Sequence, residues 1–236
     1  YVENNPAAYI DPGGHAKWRP PTLSWYGPSI VTRSEWGAIE PGVYRTRNGC
    51  LGRVEGLYDP ESNPGGYAAY SRLRPGESLE DVLDTIVVHH EGNGQTYSVQ
   101  AVQSKHVFGD GYVDIRYHFV VGPDGTIYEG RDVGVRGAHV SADARNTGKV
   151  GVLLLGDFQP GMAIRIGGRQ FLLPDVTGDD RPTSEQVRST MLLVEWLDYR
   201  YGIEHVVGHR DLDFTDCPGD YCMPYIPILD EAVQEH

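Results

Sequence analysis

Short runs of β-branched and apolar residues predict the strands of this chain. Residues 85–89 read Thr-Ile-Val-Val-His, and residues 150–155 are almost entirely apolar. Runs of this length and composition are typical of strands that are buried on both faces. Residues 117–121 and 126–129 flank Gly-Pro-Asp-Gly at 122–125, and Asp-Gly between two extended segments favours a tight reversal. We therefore expect two buried strands and a hairpin.

Two longer segments have apolar residues at three- and four-residue spacing, which predicts amphipathic helices. Ser98 is a suitable cap for the first helix, which we expect to end near Phe108. Thr183, followed three residues later by Gln186, resembles a capping box at the start of the second. The residues expected to face the core are Val99, Val102 and His106 in the first helix and Val187, Met191, Val194 and Leu197 in the second.

The organisation of the chain indicates one domain with extensions. Its 236 residues can enclose one sizeable core, and no internal repeat is evident. Residues 1–30 contain five prolines and several glycines, which predicts an extended arm. We expect the domain over residues 31–236, with loop-rich insertions at about 41–82 and 158–182.

Composition narrows the classes of function. No apolar stretch approaches the roughly 18 residues that suggest a membrane span, so a soluble protein is expected. The formal net charge of -13 disfavours electrostatic capture of nucleic acid or anionic lipid. Three cysteines are too few for a disulfide scaffold. Cys50 and Cys222 could form a disulfide or remain two buried thiols, and the sequence leaves both alternatives open.

Two distant motifs supply the side chains of a candidate metal site. The strand predicted at 85–89 ends in His89, and His209 in the Gly-His-Arg-Asp segment lies eight positions before Cys217. Zinc favours tetrahedral sites of imidazole nitrogen and thiolate sulfur, and a catalytic site uses three protein ligands. His89, His209 and Cys217 are the predicted ligands. Because side chains alternate along a strand, His90 is expected on the opposite face, as a supporting or packing residue.

Seven segments then carry a specific combination of motifs. They are Thr-Arg-Ser-Glu-Trp-Gly-Ala at 32–38, Ile-Val-Val-His-His at 86–90, Asp-Ile-Arg-Tyr-His-Phe at 114–119, Tyr-Glu-Gly-Arg at 128–131, Gly-Ala-His at 137–139, Asn146 with Gly151, and residues 209–219. In this order they resemble the family of peptidoglycan recognition proteins and type 2 N-acetylmuramoyl-L-alanine amidases. The resemblance covers about residues 30–40 and 83–230.

The resemblance implies a fold, a cofactor and a reaction. The fold is α/β, with a mixed central β-sheet flanked by helices and Zn2+ in a surface groove. The partner is peptidoglycan or a muropeptide, and the reaction is hydrolysis of the amide between N-acetylmuramic acid and L-alanine. A secreted or cell-envelope location follows from that substrate.

The resemblance also assigns roles to individual residues. His89, His209 and Cys217 correspond to the family's zinc ligands, and Tyr117 and Thr215 correspond to its catalytic residues. The side chains grouped as substrate-binding are His90, Arg136, His139 and Asn146. As alternatives, Tyr117 could be an ordinary sheet tyrosine, Thr215 and Asn146 loop-stabilising residues, and Arg136 a solvated side chain.

Two departures from the family pattern leave questions open. Another branch of the amidases has a glutamate base where this chain has Leu153. Because leucine cannot accept a proton, the catalytic role is expected to fall to Tyr117 or to an acid such as Glu91. Asp132-Val133 matches neither of the usual pairs after Glu-Gly-Arg, so the stem-peptide type stays open.

Three functions compete at this point. The first is the zinc amidase, and the second is a module that binds muropeptides without cleaving them. The presence of Cys217 favours the enzyme, because some family members that only bind have lost this ligand. A zinc peptidase has little support, since the sequence contains no His-Glu-x-x-His motif.

Overall fold

The computed structural model describes residues 27–45, 49–54, 57, 67–92, 98–141, 143–160 and 181–234, and the backbone of 163–166 and 169–172. The arm predicted at 1–30 lies outside these residues except for 27–30. In the described chain the strands are β1 (Ile30–Val31), β2 (Val43–Arg45), β3 (Leu51–Arg53), β4 (Thr85–His90), β5 (Phe119–Val121), β6 (Ile127–Glu129), β7 (Lys149–Leu154), β8 (Ala163–Ile166), β9 (Arg169–Leu172) and β10 (His205–Gly208).

Four of the five described α-helices lie in connections between these strands, and the fifth follows the last strand. The helices are α1 (Tyr70–Leu73), α2 (Leu79–Val82), α3 (Val99–Ser104), α4 (Ser184–Tyr201) and α5 (Ile226–Gln234). Within the part of the chain that the structure describes, no helix is long and apolar enough to cross a membrane.

The main sheet is mixed and has the strand order β1-β6-β5-β7-β4-β10. β4 pairs in parallel with β7 on one side and with β10 on the other, whereas β5 and β6 form the antiparallel hairpin predicted around residues 122–125. Helices pack on the sheet, so the predicted mixed sheet flanked by helices is confirmed. Two separate two-stranded hairpins, β2-β3 and β8-β9, lie within the segments predicted as loop-rich insertions.

β4 lies in the interior of the sheet, between β7 and β10, and its residues from Ile86 to Val88 are apolar on both faces. Ile86 and Val88 belong to a core cluster with residues of α4 and α5 such as Leu197 and Leu229. The predicted alternation holds at the end of the strand, where His89 is completely buried and lies on the opposite side from this cluster, against Tyr117 and His139. The strand therefore delivers one histidine to each face of the sheet.

The first predicted helix is present, but its second half has a different geometry. The Ser98 hydroxyl accepts a hydrogen bond from the Ala101 amide, as expected of a cap. α3 then ends at Ser104 and continues as a wider π-type turn over Lys105–Gly109. The three residues predicted to face inward, Val99, Val102 and His106, are buried.

The second predicted helix is α4, and its cap is only half a capping box. The Thr183 hydroxyl accepts from the Gln186 amide at 3.0 Å. The Gln186 side chain does not return to Thr183; instead it donates to the carbonyl oxygens of Val121 and Leu155. Val194 and Leu197 are buried and Met191 packs partly buried against the core, as predicted, whereas Val187 is not part of the core and the polar Gln186 and Thr190 are buried on this face.

Several elements carry too weak a pattern to be predicted. β1 has two residues and β10 four, and α5 begins directly after a short helical turn that contains Pro224. β5 begins at Phe119, two residues later than expected. Cys222 is buried and Cys50 is exposed, and the structure describes both as free thiols, so it supports neither a disulfide nor a pair of buried thiols.

Candidate metal centre

The pairing of β4 with β10 places two histidines side by side. In this parallel register Gly208, the last residue of β10, lies opposite Val88. The next residue in each case is a histidine: His89 still lies in β4, His209 directly follows β10, and their ring centroids are 4.4 Å apart. Because neighbouring strands in a sheet are rigidly spaced, the position of both imidazoles is fixed by the sheet and not by a loop alone.

A compact loop returns Cys217 to these histidines. The amides of Leu212 and Asp213 both donate to the His209 carbonyl at 3.0 Å, which forms a tight helical turn. The Arg210 amide donates to the Cys217 carbonyl at 2.8 Å and closes the loop. As a result the Cys217 sulfur lies 3.6 Å from Nδ1 of His89.

The turn after Cys217 requires glycine. Gly219 has a φ of +90°, in the left-handed region that favours glycine. A Cβ at this position would lie 2.4 Å from the carbonyl carbon of Phe158. The glycine of the Pro-Gly pair is thus explained by its close packing against the backbone of Phe158, which follows β7.

The three side chains form a donor set suited to zinc. One donor atom from each of His89, His209 and Cys217 lies within 4.8 Å of the others. Two imidazole nitrogens and one sulfur match the ligands of catalytic zinc sites, in which the fourth position is left to water. Among the described residues, this is the one cluster of three or more metal-binding side chains.

Electrostatics favour neutral imidazoles at this site. Burial lowers the pKa of His89 well below its ordinary value, and the neighbouring His139 and His209 lower it further. Burial also lowers the pKa of His209, partly offset by its hydrogen bond to Asp213. A neutral imidazole is the form that binds a metal, so both rings are in the ligating state near neutral pH.

The cysteine needs a cation to become a thiolate. Burial raises the pKa of Cys217 to about 12, although the His90 amide and the charge of Arg210 act in the opposite direction. A divalent cation at the site would displace the thiol proton, as zinc does in proteins. The donor set and its burial therefore fit zinc.

A second layer of side chains contacts the ligand histidines. Nε2 of His89 lies 3.0 Å from Nδ1 of His139. Nε2 of His209 lies 2.9 Å from Oδ2 of Asp213. Each ligand ring is held through its Nε2 atom, which leaves Nδ1 as the nitrogen that can bind a metal.

Tyr117 lies beside the candidate metal centre. Its ring centroid is 5.0 Å from that of His89, and its ring stacks on His139 at 6.2 Å. Burial raises the pKa of Tyr117, and the nearby Cys217 and Glu91 raise it further, against the opposing charge of Arg116. The phenol therefore keeps its proton near neutral pH and can donate a hydrogen bond.

Thr215 lies in the ligand loop, two residues before Cys217. Its hydroxyl oxygen accepts from the Cys217 amide at 3.2 Å. This contact stabilises the loop and leaves the hydroxyl proton for donation. The preceding Phe214 is fully exposed.

The residues grouped as substrate-binding are mostly buried. Asn146 is completely buried, and its Oδ1 accepts from the amides of His139 and Val140. His139 is buried, and its ring contacts Nε2 of His89. His90 is on the other face of β4, where its Nδ1 accepts from the Phe158 amide at 3.1 Å. These three side chains support the site from within and offer little surface to a substrate.

Arg136 is also buried, with 9% of its surface exposed. Its amide donates to the Ala68 carbonyl, and its own carbonyl accepts from the buried Arg131 guanidinium at 2.8 Å. The solvated arginine considered as an alternative is not observed.

Sequence reasoning missed two charged residues near the centre. Asp213 is one of three aspartates between His209 and Cys217, and nothing in the sequence separates it from Asp211 and Asp216. Arg116 precedes Tyr117, and its Nε donates to the Ala138 carbonyl while its guanidinium lies 4.7 Å from the Tyr112 ring centroid. Its positive charge helps to lower the pKa of His89.

Comparisons with known proteins give a consistent result. The family model described as N-acetylmuramoyl-L-alanine amidase matches residues 79–220. Peptidoglycan-recognition protein SC2 of Drosophila melanogaster is 28% identical over 168 residues, covering 67% of this chain and 78% of that protein.

Two solved structures share the fold. The endolysin N-acetylmuramoyl-L-alanine amidase LysCS from Clostridium intestinale superposes with a TM-score of 0.50 at 25% identity, covering 67% of this chain and 85% of that one. A point mutant of Drosophila PGRP-LB in complex with tracheal cytotoxin superposes with a TM-score of 0.52 at 22% identity, covering 81% of this chain and 89% of that one.

Proposed function

The chain belongs to the N-acetylmuramoyl-L-alanine amidase family, and from that premise we propose that it is a zinc-dependent amidase of peptidoglycan. It hydrolyses the amide that joins the lactyl group of N-acetylmuramic acid to L-alanine of the stem peptide. The observation that carries this proposal is the intact donor set of His89, His209 and Cys217, within 4.8 Å of one another.

The donor set defines the role of the metal. When bound, zinc supplies a Lewis acid that polarises the scissile carbonyl and acidifies water at neutral pH. The protein's part is to hold three ligands, one at the end of β4 and two in the segment that directly follows β10. This rigid support keeps the reacting groups in register.

Tyr117 acts as a hydrogen-bond donor. The tetrahedral transition state of amide hydrolysis carries negative charge on the former carbonyl oxygen, and donors aimed at that oxygen lower the barrier. A phenol that keeps its proton is suited to this role. The raised pKa of Tyr117 argues against a phenolate that takes a proton from water.

Thr215 supplies a second donor from the ligand loop. Its oxygen is fixed by the Cys217 amide, so its proton is directed away from that contact. We assign it a smaller role than Tyr117, because a hydroxyl on a loop is held less firmly than a ring packed against two histidines.

The proton acceptor is the remaining part of the mechanism. Leu153 lies opposite His89 in the β4-β7 pairing and is buried, so the position used for a glutamate in another branch cannot move a proton here. Glu91 directly follows β4, and its charge acts on Tyr117. We propose Glu91 as the carboxylate that accepts the proton.

The similarities support peptidoglycan as the partner. One relative is named for peptidoglycan recognition, one structural neighbour is an N-acetylmuramoyl-L-alanine amidase, and another is in complex with tracheal cytotoxin. An enzyme acting on this polymer works outside the cytoplasm, and we propose a secreted or cell-envelope location. The substrate-binding roles of His90, Arg136, His139 and Asn146 become indirect in this proposal, because these side chains are buried.

The second candidate function is a module that binds muropeptides without cleaving them. The structural neighbour in complex with tracheal cytotoxin supports this candidate, because it is a protein of similar fold with such a ligand bound. The complete donor set favours the enzyme, since a pure binding module has no need of a buried cysteine beside two histidines.

Mass spectrometry of digested peptidoglycan separates the two candidates. The protein is incubated with purified peptidoglycan, with and without a chelator, and zinc is then restored. The amidase proposal predicts release of stem peptides with a free L-alanine amino terminus, loss of this product with chelator and its return with zinc. Intact muropeptides at full zinc occupancy, together with retention of the protein on the polymer, would support the binding module instead.

A further inference from the structure

Residues in the stretch 139–146 contact one candidate ligand histidine directly and the other through Asp213. At one end, Nδ1 of His139 lies 3.0 Å from Nε2 of His89. Further along, Ser141 and Arg145 bind Asp213, whose Oδ2 lies 2.9 Å from Nε2 of His209. Two candidate ligands, one at the end of β4 and one directly after β10, are therefore oriented by residues close together in the sequence.

Ser141 and Arg145 hold the Asp213 carboxylate in place. Its Oδ2 accepts from the Ser141 amide at 2.8 Å, and its Oδ1 accepts from the Ser141 hydroxyl at 2.6 Å. The Arg145 guanidinium also donates to Oδ1 and to the neighbouring Leu212 carbonyl. The carboxylate reaches His209 in one fixed orientation, because both of its oxygens are occupied by donors from this stretch.

The start of this stretch is fixed in a similar way. The Asn146 amide oxygen accepts from the amides of His139 and Val140, at 2.8 and 3.0 Å. These bonds set the backbone from which the His139 ring reaches His89. The His139 ring is also in close contact with the backbone of Gly137 and Gly151, so it has little freedom to turn.

We propose that Asp213 and His139 are positioning residues that set the tautomer and the orientation of the two ligand imidazoles. An acceptor at Nε2 places the ring proton there and leaves Nδ1 with its lone pair toward the metal. This role goes beyond the ligand set itself. The inference rests on the proposed zinc site, and it assigns Asp213 a function that distinguishes it from Asp211 and Asp216.

Zinc affinity of the metal-free protein tests the role of Asp213. Competition with a chromophoric chelator gives the dissociation constant without any substrate. Asp213→Ala is expected to weaken zinc binding by about 10- to 100-fold, as loss of such a partner does in other zinc proteins. Asp213→Asn keeps an oxygen acceptor of the same size and is expected to recover part of the affinity. Asp216→Asn, exposed in the same loop, is the matched control and is expected to bind as the wild type does.

A spectroscopic readout separates positioning from general stability. Cobalt substituted for zinc has visible bands that depend on ligand geometry, so Asp213→Ala should shift these bands while Asp216→Asn leaves them unchanged. His139→Phe removes the acceptor at His89 and His139→Gln restores one, and the same ordering is expected. If the His139 variants do not fold, the Asp213 series still decides the proposal for His209.

Each possible result has a definite meaning. Asp213→Ala with wild-type zinc affinity and an unchanged cobalt spectrum overturns the positioning role of Asp213. Wild-type protein that binds no zinc overturns both this inference and the metal site. Wild-type protein that binds zinc, loses affinity on Asp213→Ala and leaves peptidoglycan intact overturns only the amidase, and the positioning role stands.

Discussion

At the scale of single residues, Tyr117 is the side chain whose chemistry the structure defines most narrowly. Its pKa is raised by burial, so the phenol keeps its proton near neutral pH, as the proposed donor role requires. Tyr117→Phe removes only the hydroxyl, and we expect the turnover number for peptidoglycan to fall by about 10²- to 10³-fold, the usual cost of one donor to an oxyanion.

The control for this variant is Tyr112→Phe, which removes a phenol hydroxyl from the ring beneath Arg116. Turnover of Tyr112→Phe should match the wild type, and the zinc affinity of both variants should be unchanged. Full activity of Tyr117→Phe would exclude the phenol from the reaction.

Gly151 carries a second prediction at this scale. A Cβ on Gly151 would lie 2.4 Å from Cδ2 of His139, so the imidazole would have to move. Gly151→Ala is expected to lower the free energy of unfolding by about 1 to 3 kcal/mol, as overpacking does, and to weaken zinc binding through His89. Urea unfolding and chelator competition measure the two effects.

Gly109→Ala is the matched substitution. Its Cβ would meet only Cγ of Lys105, at an ordinary distance of 3.8 Å. We expect nearly wild-type stability and zinc affinity. If Gly151→Ala and Gly109→Ala have the same stability and zinc affinity, the close approach of Gly151 to His139 contributes to neither.

The sequence could supply the ligands but not the residues that orient them. His89, His209 and Cys217 stand in motifs of recognisable spacing, and the structure brings them together. Asp213 has no such signal, because its partners Ser141 and Arg145 are 72 and 68 positions away and meet it only in the folded chain. The family resemblance placed Asn146 with the substrate-binding residues, whereas its side-chain oxygen accepts from the His139 amide in the fold.

At the scale of secondary structure elements, α4 shows how a polar residue can hold two parts of the fold together. The Gln186 amide donates to Val121 at the end of β5 and to Leu155 just after β7, at 2.9 and 3.0 Å. Without this side chain two carbonyl groups in the core would lose this donor. The helix start is thereby fixed to the sheet.

Gln186→Met is expected to lower the free energy of unfolding by about 2 kcal/mol, because a buried polar group without its partner costs about 1 to 3 kcal/mol. Methionine has a similar volume but no donor. Arg188→Met, on the exposed side of the same helix, is the control and should change stability by less than about 0.5 kcal/mol. Urea denaturation measures both, and equal effects in the two variants would contradict the bridging role of Gln186.

Element prediction succeeded where the pattern was long or continuous. The β-branched run of β4 and the cap and period of α4 were sufficient to place both elements. Periodicity predicted an apolar stripe on α4 but not the burial of Gln186 and Thr190. Hydrophobic patterning cannot show which backbone carbonyls require a buried donor. β1 and β10 are too short to show a period, and they form by pairing with strands distant in the sequence.

At the scale of the whole molecule, buried imidazoles make stability depend on pH. Burial lowers the pKa of His118 to about 4 and that of His106 to about 3. In the unfolded chain both are near 6.5. Because the unfolded state binds more protons between these values, the stabilisation is complete above pH 6.5 and is lost as the pH falls toward 4.

We therefore expect these two imidazoles to cost the metal-free protein about 4 kcal/mol of unfolding free energy between pH 7 and pH 5, measured by urea denaturation. Each imidazole contributes roughly 1.4 kcal/mol per pH unit within its window. His118→Gln should reduce this slope, because it removes one of the two titrating imidazoles. A stability that is flat over this range would show that the buried histidines do not titrate on unfolding.

The general architecture was implied by the family resemblance and is confirmed, and the sheet topology places the ends of the parallel neighbours β4 and β10 side by side. At this scale the sequence did not predict the structure of the two insertions. Their short hairpins have no sustained period, so neither the pattern of residues nor the family motifs predict their form.

The most direct test of the central claim is a zinc titration of the metal-free protein during peptidoglycan digestion. Release of stem peptides is followed by mass spectrometry as zinc is added. The account predicts that product formation rises in proportion to zinc and reaches a plateau at one ion per chain, and that Cys217→Ser forms almost no product at the same zinc concentration. Product formation that is independent of zinc, or equal in the wild type and Cys217→Ser, would contradict a catalytic centre built from His89, His209 and Cys217.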